Sequence, residues 1–414
     1  MTPQPQPLPL TGYRVLDLTT ESGHLAGKLL ADLGCQVIKV EPPSGDPARR
    51  KDAAGTPTRG ARTGLFWLAY NTGKLGVTLD ARTAAGRRLL ERLVERADFL
   101  IESSIPGEPA AFDGSRWASL NPRLIAASIT PFGRGGPYRD YRDGELIAQA
   151  AGGLLFLSGA DESRPPVRLG VEMAWHMAAA QAVAAMLIAH QQRSATGQGQ
   201  QIDLSVQESV TNLLFKAPLA WELNGVVDGR WPSPSAGGAR RTGIWPCEDG
   251  YVSWVWWVAQ GWGRKNVPLL QWMAEESDVD DLLAVDWEAL SITTVPKDLV
   301  RRFESAAGEF FLRHTKAELY EQAVQRRFIL YPVNSPRDVL ADSQLEARDY
   351  WQSIVDPDSG TLLTHPGAWF KSAEYLPRAR GPAPRLGEHN RYVFQGMLGL
   401  SNRELVTLKA TGAM

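Results

Sequence analysis

"YRVLDLTTESGHLAGKLLADLGCQVIKVE", residues 13–41, decides the fold. Residues 13–20 form a short apolar run that reads as a buried strand. Residues 24–34 place apolar side chains at helical spacing and end on Gly34, the residue type that most readily closes a helix. Residues 35–41, "CQVIKVE", read as a second strand. Strand, helix and strand joined by short turns make a βαβ unit, and such units build parallel sheets. The alternation continues with strands at 75–80, 98–103 and 124–130 and a helix at 83–97. The fold class expected is α/β. A large Rossmann-like domain should combine residues 1–200 with a C-terminal part, beside a smaller α+β domain. No G-x-G-x-x-G follows the first strand, so no dinucleotide is inferred.

Beyond this region the composition changes. Residues 201–228 read as a linker helix. The segment "RWPSPSAGGARRTG" (230–243) is rich in Gly, Pro and Ser and reads as a loop. "IWPCEDGYVSWVWW" (244–257) reads as a hairpin turning at Glu248, Asp249 and Gly250. With the helical pattern of 303–327, these residues define a small α+β domain over 229–330. Residues 331–351 read as a linker. The remaining tail has no core of its own, so 331–414 should return to the large domain.

The bulk numbers narrow the function classes. The chain has 414 residues, 43% of them apolar, and a net charge of −2 from 44 basic and 46 acidic residues. That balance offers no basic excess to displace the counterions of nucleic acid. The doublets Arg49–Arg50, Arg240–Arg241 and Arg301–Arg302 read as solvated faces. The two cysteines, Cys35 and Cys247, are far apart and fit a reducing cytoplasm rather than a disulfide frame. The Pro-rich start "MTPQPQPLPL" does not have the form of a signal peptide. The apolar run 174–190, interrupted by Gln181, reads as a buried helix and not as a membrane span. Six scattered histidines give no metal site.

Nine stretches, in order along nearly the whole chain, carry a family likeness. They are "LPLTGYRVLDLT", "LLADLGCQVIKVEPPSGDPAR", "YNTGKLGVTLD", "NPRLIAASITPFGRGGPYRD", "ELIAQAAGG", "TGQGQQIDLSVQESV", "EDGYVSW", "YPVNSPRDVLADSQLEARDYW" and "LGEHN". With them the chain resembles the family III CoA-transferases, which include formyl-CoA transferase and related acyl-CoA racemases. The resemblance implies an interlocked dimer of two-domain chains. It implies a CoA thioester and a carboxylic acid as substrates, with no permanently bound cofactor. It also implies covalent acyl transfer, in which an aspartate attacks the thioester and carries the acyl group as a mixed anhydride. A Gly-rich loop shields that anhydride from water.

The sequence departs from the family where the chemistry lies. Counting back from Thr196 of "TGQGQ", the catalytic aspartate position falls on Trp175. An indole donates a hydrogen bond but cannot carry an acyl group. The family's tyrosine is Gly144 here, with Glu145 retained, and its arginine after "IKVE" is Pro42. The Asn-Phe pair after the fourth strand is Ser103–Ser104. By position, the resemblance assigns CoA contacts to Glu21, Ser22, Leu79, Asp80, Ala81, Arg82, Ser103, Ser104, Ile105, Arg142, Asp143, Gly144 and Glu145, with Arg82 and Arg142 as phosphate partners. It assigns Gly237 and Gly238 to the substrate loop.

The reading expected is a subunit of a heteromeric CoA-transferase that lacks the catalytic aspartate and pairs with a homologous subunit carrying it. Succinyl-CoA and an aromatic succinate such as benzylsuccinate are the expected substrates, in aromatic degradation. Two other readings stay open. One is a homodimeric acyl-CoA enzyme using a displaced acid, Glu172 or Glu145. The other is a catalytically silent acyl-CoA-binding or regulatory protein. No nucleic acid or membrane partner is expected.

Overall fold

The computed structural model describes residues 7–51, 63–103, 114–142, 144–159, 163–227, 229–230 and 242–414. Two compact units divide the chain. The first contains residues 1–154, 169–213 and 346–414, and the second 155–168 and 214–345.

The first unit is built on a six-stranded parallel sheet. Its strands are β1 (Arg14–Leu18), β2 (Gln36–Glu41), β3 (Leu75–Thr78), β4 (Phe99–Glu102), β5 (Ile125–Thr130) and β6 (Gln200–Ser205). Their spatial order is β3-β2-β1-β4-β5-β6. The chain therefore steps outward from β1 in one direction and returns beside it to step outward in the other. That reversal, between β1 and β4, is where open α/β sheets leave a crevice outside the carboxyl ends of the strands.

Among the described residues these strands are accompanied by the helices α1 (His24–Asp32), α2 (Leu65–Tyr70), α3 (Ala84–Val94), α4 (Gly114–Leu120), α5 (Glu145–Ala151), α6 (Met173–Thr196) and α7 (Val206–Thr211). Thr83 starts α3 by accepting the Gly86 N–H at 3.0 Å. After α1 the chain reverses through Leu33 and Gly34, and Gly34 sits at φ +112°, a conformation that glycine alone adopts without strain.

Both faces of the sheet are buried, so successive strand residues serve opposite cores. Val15, Val37, Phe99, Ile101, Ile125 and Ala127 pack with the alanine face of α6. Leu16, Ile38, Val77, Leu100 and Ala126 pack with Leu89, Leu90, Leu93 and Trp117 from α3 and α4.

The second unit contains α8 (Lys216–Asn224), β7 (Ile244–Cys247), β8 (Gly250–Trp254), α9 (Val267–Ala274), α10 (Asp280–Leu283), α11 (Lys297–Phe311), α12 (Lys316–Arg326), β9 (Leu330–Pro332) and α13 (Pro336–Leu340). β7, β8 and β9 form an antiparallel sheet in that order. An aromatic core of Trp245, Trp254, Trp256, Trp272, Phe303, Phe310 and Phe311 fills it. α14 (Ser343–Ala347) spans the junction. The tail then forms the hairpin β10 (Trp351–Val355) and β11 (Leu362–Pro366), a π-helical turn at Arg391–Met397 and α15 (Asn402–Ala410).

Several expectations need correction. Residues 200–205 are β6 and not the start of a linker helix, because Ile202 and Leu204 pack on the core while the strand pairs with β5. Residues 331–351 are not a bare linker, since they carry α13, α14 and the end of β9. The helical pattern of 303–327 splits at Thr315, whose hydroxyl and backbone form a capping box with Glu318. Of the basic doublets, Arg49 is not a solvated side chain. Arg240–Arg241 lie outside the described residues. The run 174–190 belongs to a 24-residue helix that is long and apolar enough, by length and composition, to cross a membrane. Ala174, Ala178, Ala182, Met186 and Ala189 nonetheless pack in the sheet core.

The tail completes the first unit. The "LGEHN" stretch (386–390) covers the outer edge of β3. His389 Nδ1 accepts the Gly76 N–H at 3.1 Å, and Asn390 Oδ1 accepts the Thr78 N–H at 2.9 Å. This satisfies an edge whose backbone groups would otherwise stand open. Val393 and Phe394 follow, both fully buried against Leu16 and Ile38. Phe394→Ala should therefore destabilise the chain by about 3–5 kcal/mol. Denaturant unfolding of the full chain measures this, and a loss below about 1 kcal/mol would show that the tail adds little to the core.

Candidate functional site

Glu21 and Ser22 follow β1, Leu79–Arg82 follow β3 and Ser103 follows β4. In a parallel sheet all three groups therefore lie along the carboxyl edge. Ser103 closes the switch point directly. Its Oγ accepts the Thr20 N–H at 2.7 Å and lies 2.9 Å from Thr20 Oγ1. Glu21 pairs with Lys51. Leu79 is buried, while Asp80 takes a two-point contact from Arg82, Nε to Oδ1 at 2.9 Å and Nη2 to Oδ2 at 3.0 Å. Arg142 is exposed. Ser104, Ile105, Asp143, Gly237 and Gly238 lie outside the described residues.

The start of α6 is the second part of the site. Gly197–Gly199 connect the end of α6 to the first residue of β6. The N-terminus of α6, with Trp175, therefore points back toward the carboxyl edge. The residue at its N-cap position, Glu172, makes no capping hydrogen bond. Glu145 caps the helix instead, from the first turn of α5. Its Oε1 accepts the Ala174 N–H at 2.8 Å and its Oε2 the Trp175 N–H at 3.2 Å. Gln149 Nε2 gives Oε1 a further bond at 2.9 Å. A buried carboxylate at a helix N-terminus satisfies donors that have no intrahelical partner and meets the positive end of the dipole. Gly144 is extended, with φ −161° and ψ 156°, and leads the chain into α5.

The Trp175 side chain is half-buried and packs on the core beneath the sheet. His176 packs against Tyr70 with ring centroids 5.1 Å apart and planes tilted by 47°. Burial lowers the His176 pKa, against the pull of Glu172 and Glu145. Burial, with Glu172 adding to it, pushes the Tyr70 phenol up to about 12.

A buried charge network lies beside β1 and β2, and the sequence alone did not single it out. Asp17, His24, Lys39 and Asn71 have no exposed surface, and Lys74 is buried with them. Lys74 Nζ donates to Asp17 Oδ2 at 2.8 Å, to Asn71 Oδ1 at 2.9 Å and to the His24 carbonyl at 2.8 Å. Lys39 Nζ donates to the Thr19 carbonyl and lies 3.5 Å from Asp17 and 3.7 Å from Asp46. Asn71 Nδ2 lies 3.3 Å from His24 Nδ1, which leaves Nε2–H to donate to Asp46 Oδ2 at 3.1 Å. This tautomer is assigned from the partners.

With His24 neutral, two ammonium groups face two carboxylates. Burial opposes ionisation of Asp17, but Lys39 and Lys74 outweigh it and hold the carboxyl well below its usual range. Burial takes His24 down to about 4 with help from Lys39, and takes Lys74 down to about 8 against the pull of Asp17. Gly27 makes the room: a Cβ there would stand 2.2 Å from Asp17 Oδ2 and 2.8 Å from Lys74 Nζ. Next to this network Arg49 turns inward, bonds Glu41 at 2.6 and 2.7 Å and lies 3.8 Å over the Trp67 ring. That pairing fixes the segment after β2, where Pro42 stands.

On the β4–β5 side of the switch point, Arg134 Nη1 donates to Glu102 at 3.1 Å and to Ser128 at 2.9 Å, and the Arg134 N–H donates to Asp203. Thus "PFGRGGPYRD" is tied over the same edge. A candidate signal for these groups was available in the sequence. Asp17, Lys39, Glu102 and Ser128 are polar residues within otherwise apolar strands.

The family model described as CoA-transferase family III matches residues 10–390. The succinyl-CoA:(R)-benzylsuccinate CoA-transferase subunit BbsE of Thauera aromatica is 34% identical over 389 residues, 92% of each chain. A formyl-CoA:oxalate CoA-transferase of Streptomyces avermitilis is 31% identical over 423 residues, 98% of this chain and 99% of its own. The crystal structure of a CAIB/BAIF family protein from Brucella suis superposes with a TM-score of 0.80 at 27% identity. It covers 94% of this chain and 100% of that one.

The neutral His24 fixes a pH response. Its folded pKa of about 4 lies below the ordinary 6.5. Between these values the unfolded chain binds more protons, so stability falls as pH drops through this window and levels off for this group below it. The loss from this group should be about 3 kcal/mol. Denaturant midpoints from pH 7 to pH 4 measure it, and His24→Asn should flatten the slope. A wild-type midpoint constant across that range would contradict a neutral buried His24.

Proposed function

This chain belongs to CoA-transferase family III, and we propose that it is the aspartate-lacking subunit of a heteromeric CoA-transferase. A homologous subunit supplies the aspartate, and the two chains interlock as an isologous dimer diverged into a heterodimer. The observation behind this reading is Trp175, whose side chain cannot carry an acyl group, at the start of α6 with its backbone N–H engaged by Glu145. The 34% identity to a succinyl-CoA:(R)-benzylsuccinate CoA-transferase subunit supports a succinyl donor and an aromatic succinate acceptor such as benzylsuccinate; aromatic degradation in the cytoplasm is the setting proposed with it.

In this scheme the partner's carboxylate attacks the thioester carbonyl and expels CoA as thiolate, leaving a mixed anhydride. The thiolate then attacks the aspartyl carbonyl of that anhydride and releases the donor acid, and the acceptor carboxylate takes up CoA by the reverse of these two steps. Here the carboxyl edge receives CoA. In this reading Glu21, Ser22, Leu79–Arg82, Ser103, Arg142, Gly144 and Glu145 contact CoA; Ser104, Ile105, Asp143 and the substrate-loop glycines Gly237 and Gly238, assigned by the same resemblance, lie outside the described residues. No cofactor stays bound.

One observation favours a second reading, a displaced nucleophile. Glu172 heads α6 without capping it and stands within electrostatic reach of Tyr70 and His176. Glu145 is the other acid available, though three donors hold its carboxylate. Assay of the chain alone and co-expressed with an aspartate-bearing homologue separates the readings, using succinyl-CoA and benzylsuccinate. Turnover only by the pair is expected. Hydroxylamine, which traps acyl anhydrides, should leave the lone chain unmodified by mass spectrometry. A hydroxamate on Glu172 would establish the displaced nucleophile, and CoA binding without turnover in either preparation would establish a silent acyl-CoA-binding protein.

Trp175→Asp should not restore activity to the lone chain. The exchange removes an indole from the core contact and sets a second carboxylate near Glu145, so a loss on the order of 3 kcal/mol is expected. Transfer also needs the thioester in near-attack geometry. Robust transfer by this variant without a partner would show that the rest of the site is intact.

A further inference from the structure

The amino edge of the sheet, opposite the edge assigned to CoA, holds a cleft of about 480 Å³. The first residues of three strands line it: Arg14 of β1, Gln36 of β2 and Leu75 of β3. The tail supplies the facing wall with Arg380 and Tyr392. A cleft of this size suits a small molecule.

Its charge is one-sided. Arg14 and Arg380 both line the cleft, and neither guanidinium has a carboxylate partner among the described residues. Asp98 accepts the backbone N–H of Arg14 at 2.9 Å and not its side chain. Each guanidinium is held in place by neutral acceptors. Arg14 Nε donates to Gln36 Oε1 at 3.0 Å and Nη1 to the Arg96 carbonyl at 2.9 Å, while Gln36 Nε2 donates to the Tyr392 hydroxyl at 3.2 Å. Arg380 Nη2 donates to the Cys35 carbonyl at 2.8 Å, just past the end of α1. An arginine has five N–H donors, so these bonds orient each fork and leave most donors unengaged among the described residues. Two positioned guanidinium groups with no directly paired carboxylate among the described residues, Asp32 acting on Arg380 only through space, raise the local potential and match the geometry of phosphate or carboxylate oxygens.

We propose that this amino-edge cleft binds a small dianion, a phosphate-bearing or dicarboxylate molecule, between Arg14 and Arg380. The ligand is separate from the thioester at the carboxyl edge, and the proposal does not depend on which subunit role the chain plays.

Isothermal titration calorimetry of the full chain, with pyrophosphate and with succinate at constant ionic strength, tests it. At least one probe should bind at a single saturable site. In the double variant Arg14→Gln/Arg380→Gln affinity should fall about tenfold or more, while Arg301→Gln, which removes an exposed arginine from the second unit, should leave it unchanged. Binding of pyrophosphate alone would assign a phosphate-bearing ligand, and binding of succinate alone a dicarboxylate. Thermal unfolding confirms that the variants fold. Should the double variant unfold, Arg380→Gln carries the test, because among the described residues Arg380 gives the fold a single hydrogen bond. The proposal is overturned if neither probe saturates, if the variants bind as the parent does, or if CoA competes for the same site.

Discussion

The contact between Lys74 and Asp17, under the turn that leaves β1, constrains everything around it. Both groups are fully buried, and removing either alone would leave an uncompensated charge in the interior, at a cost of about 3–5 kcal/mol. The pair holds β1, α1 and the approach to β3 together, because Lys74 also bonds the first residue of α1 and the side chain of Asn71. Lys39 extends the pairing to Thr19 and Asp46. The backbone from Thr19 onward then reaches Ser103 across the switch point. The crevice on the carboxyl edge is shaped by buried electrostatics more than by apolar packing.

The same logic governs α6. A helix rich in alanine gains little from its own first turn here, since Glu172 does not cap it. The capping carboxylate comes from Glu145, 29 residues before Ala174. Position 175 therefore lies where two N–H groups and one carboxylate are already balanced. In a chain with aspartate at this position, the new carboxylate would share that environment with Glu145, and such a pair raises the pKa of one member. With tryptophan the balance needs no such adjustment.

The parts of the fold that were legible in the sequence are those set by local pattern. Residues 13–41 announced β1, α1 and β2 because strand and helix periods change within one short stretch and Gly34 marks the turn. β3, β4, β5 and the β7–β8 hairpin were equally plain. Local pattern could not show β6, since "QQIDLS" has only two apolar residues and becomes a strand through pairing with β5. Nor could it show that Arg49 turns inward, a result of Glu41 and Trp67 waiting there. In the site, Trp175 stood out by its spacing from Thr196. The Asp17–Lys39–Lys74 network did not, because its members lie 22 and 35 residues apart in sequence and meet only when β1, β2 and the turn before β3 come together.

The closure of β3 by His389 and Asn390 has a consequence for synthesis. The ribosome delivers β3 early and its cover more than 300 residues later, as the 313-residue separation of Gly76 and His389 shows. At about 5–20 residues per second, the outer edge of the sheet stays uncovered for tens of seconds on the nascent chain. The inserted second unit, with its own aromatic core, emerges complete in the interval. Premature termination between residues 345 and 389 would release a chain whose second unit is whole and whose sheet presents a raw edge. Burial of that edge thus falls on residues 389–414, which are made after the second unit and finish the first.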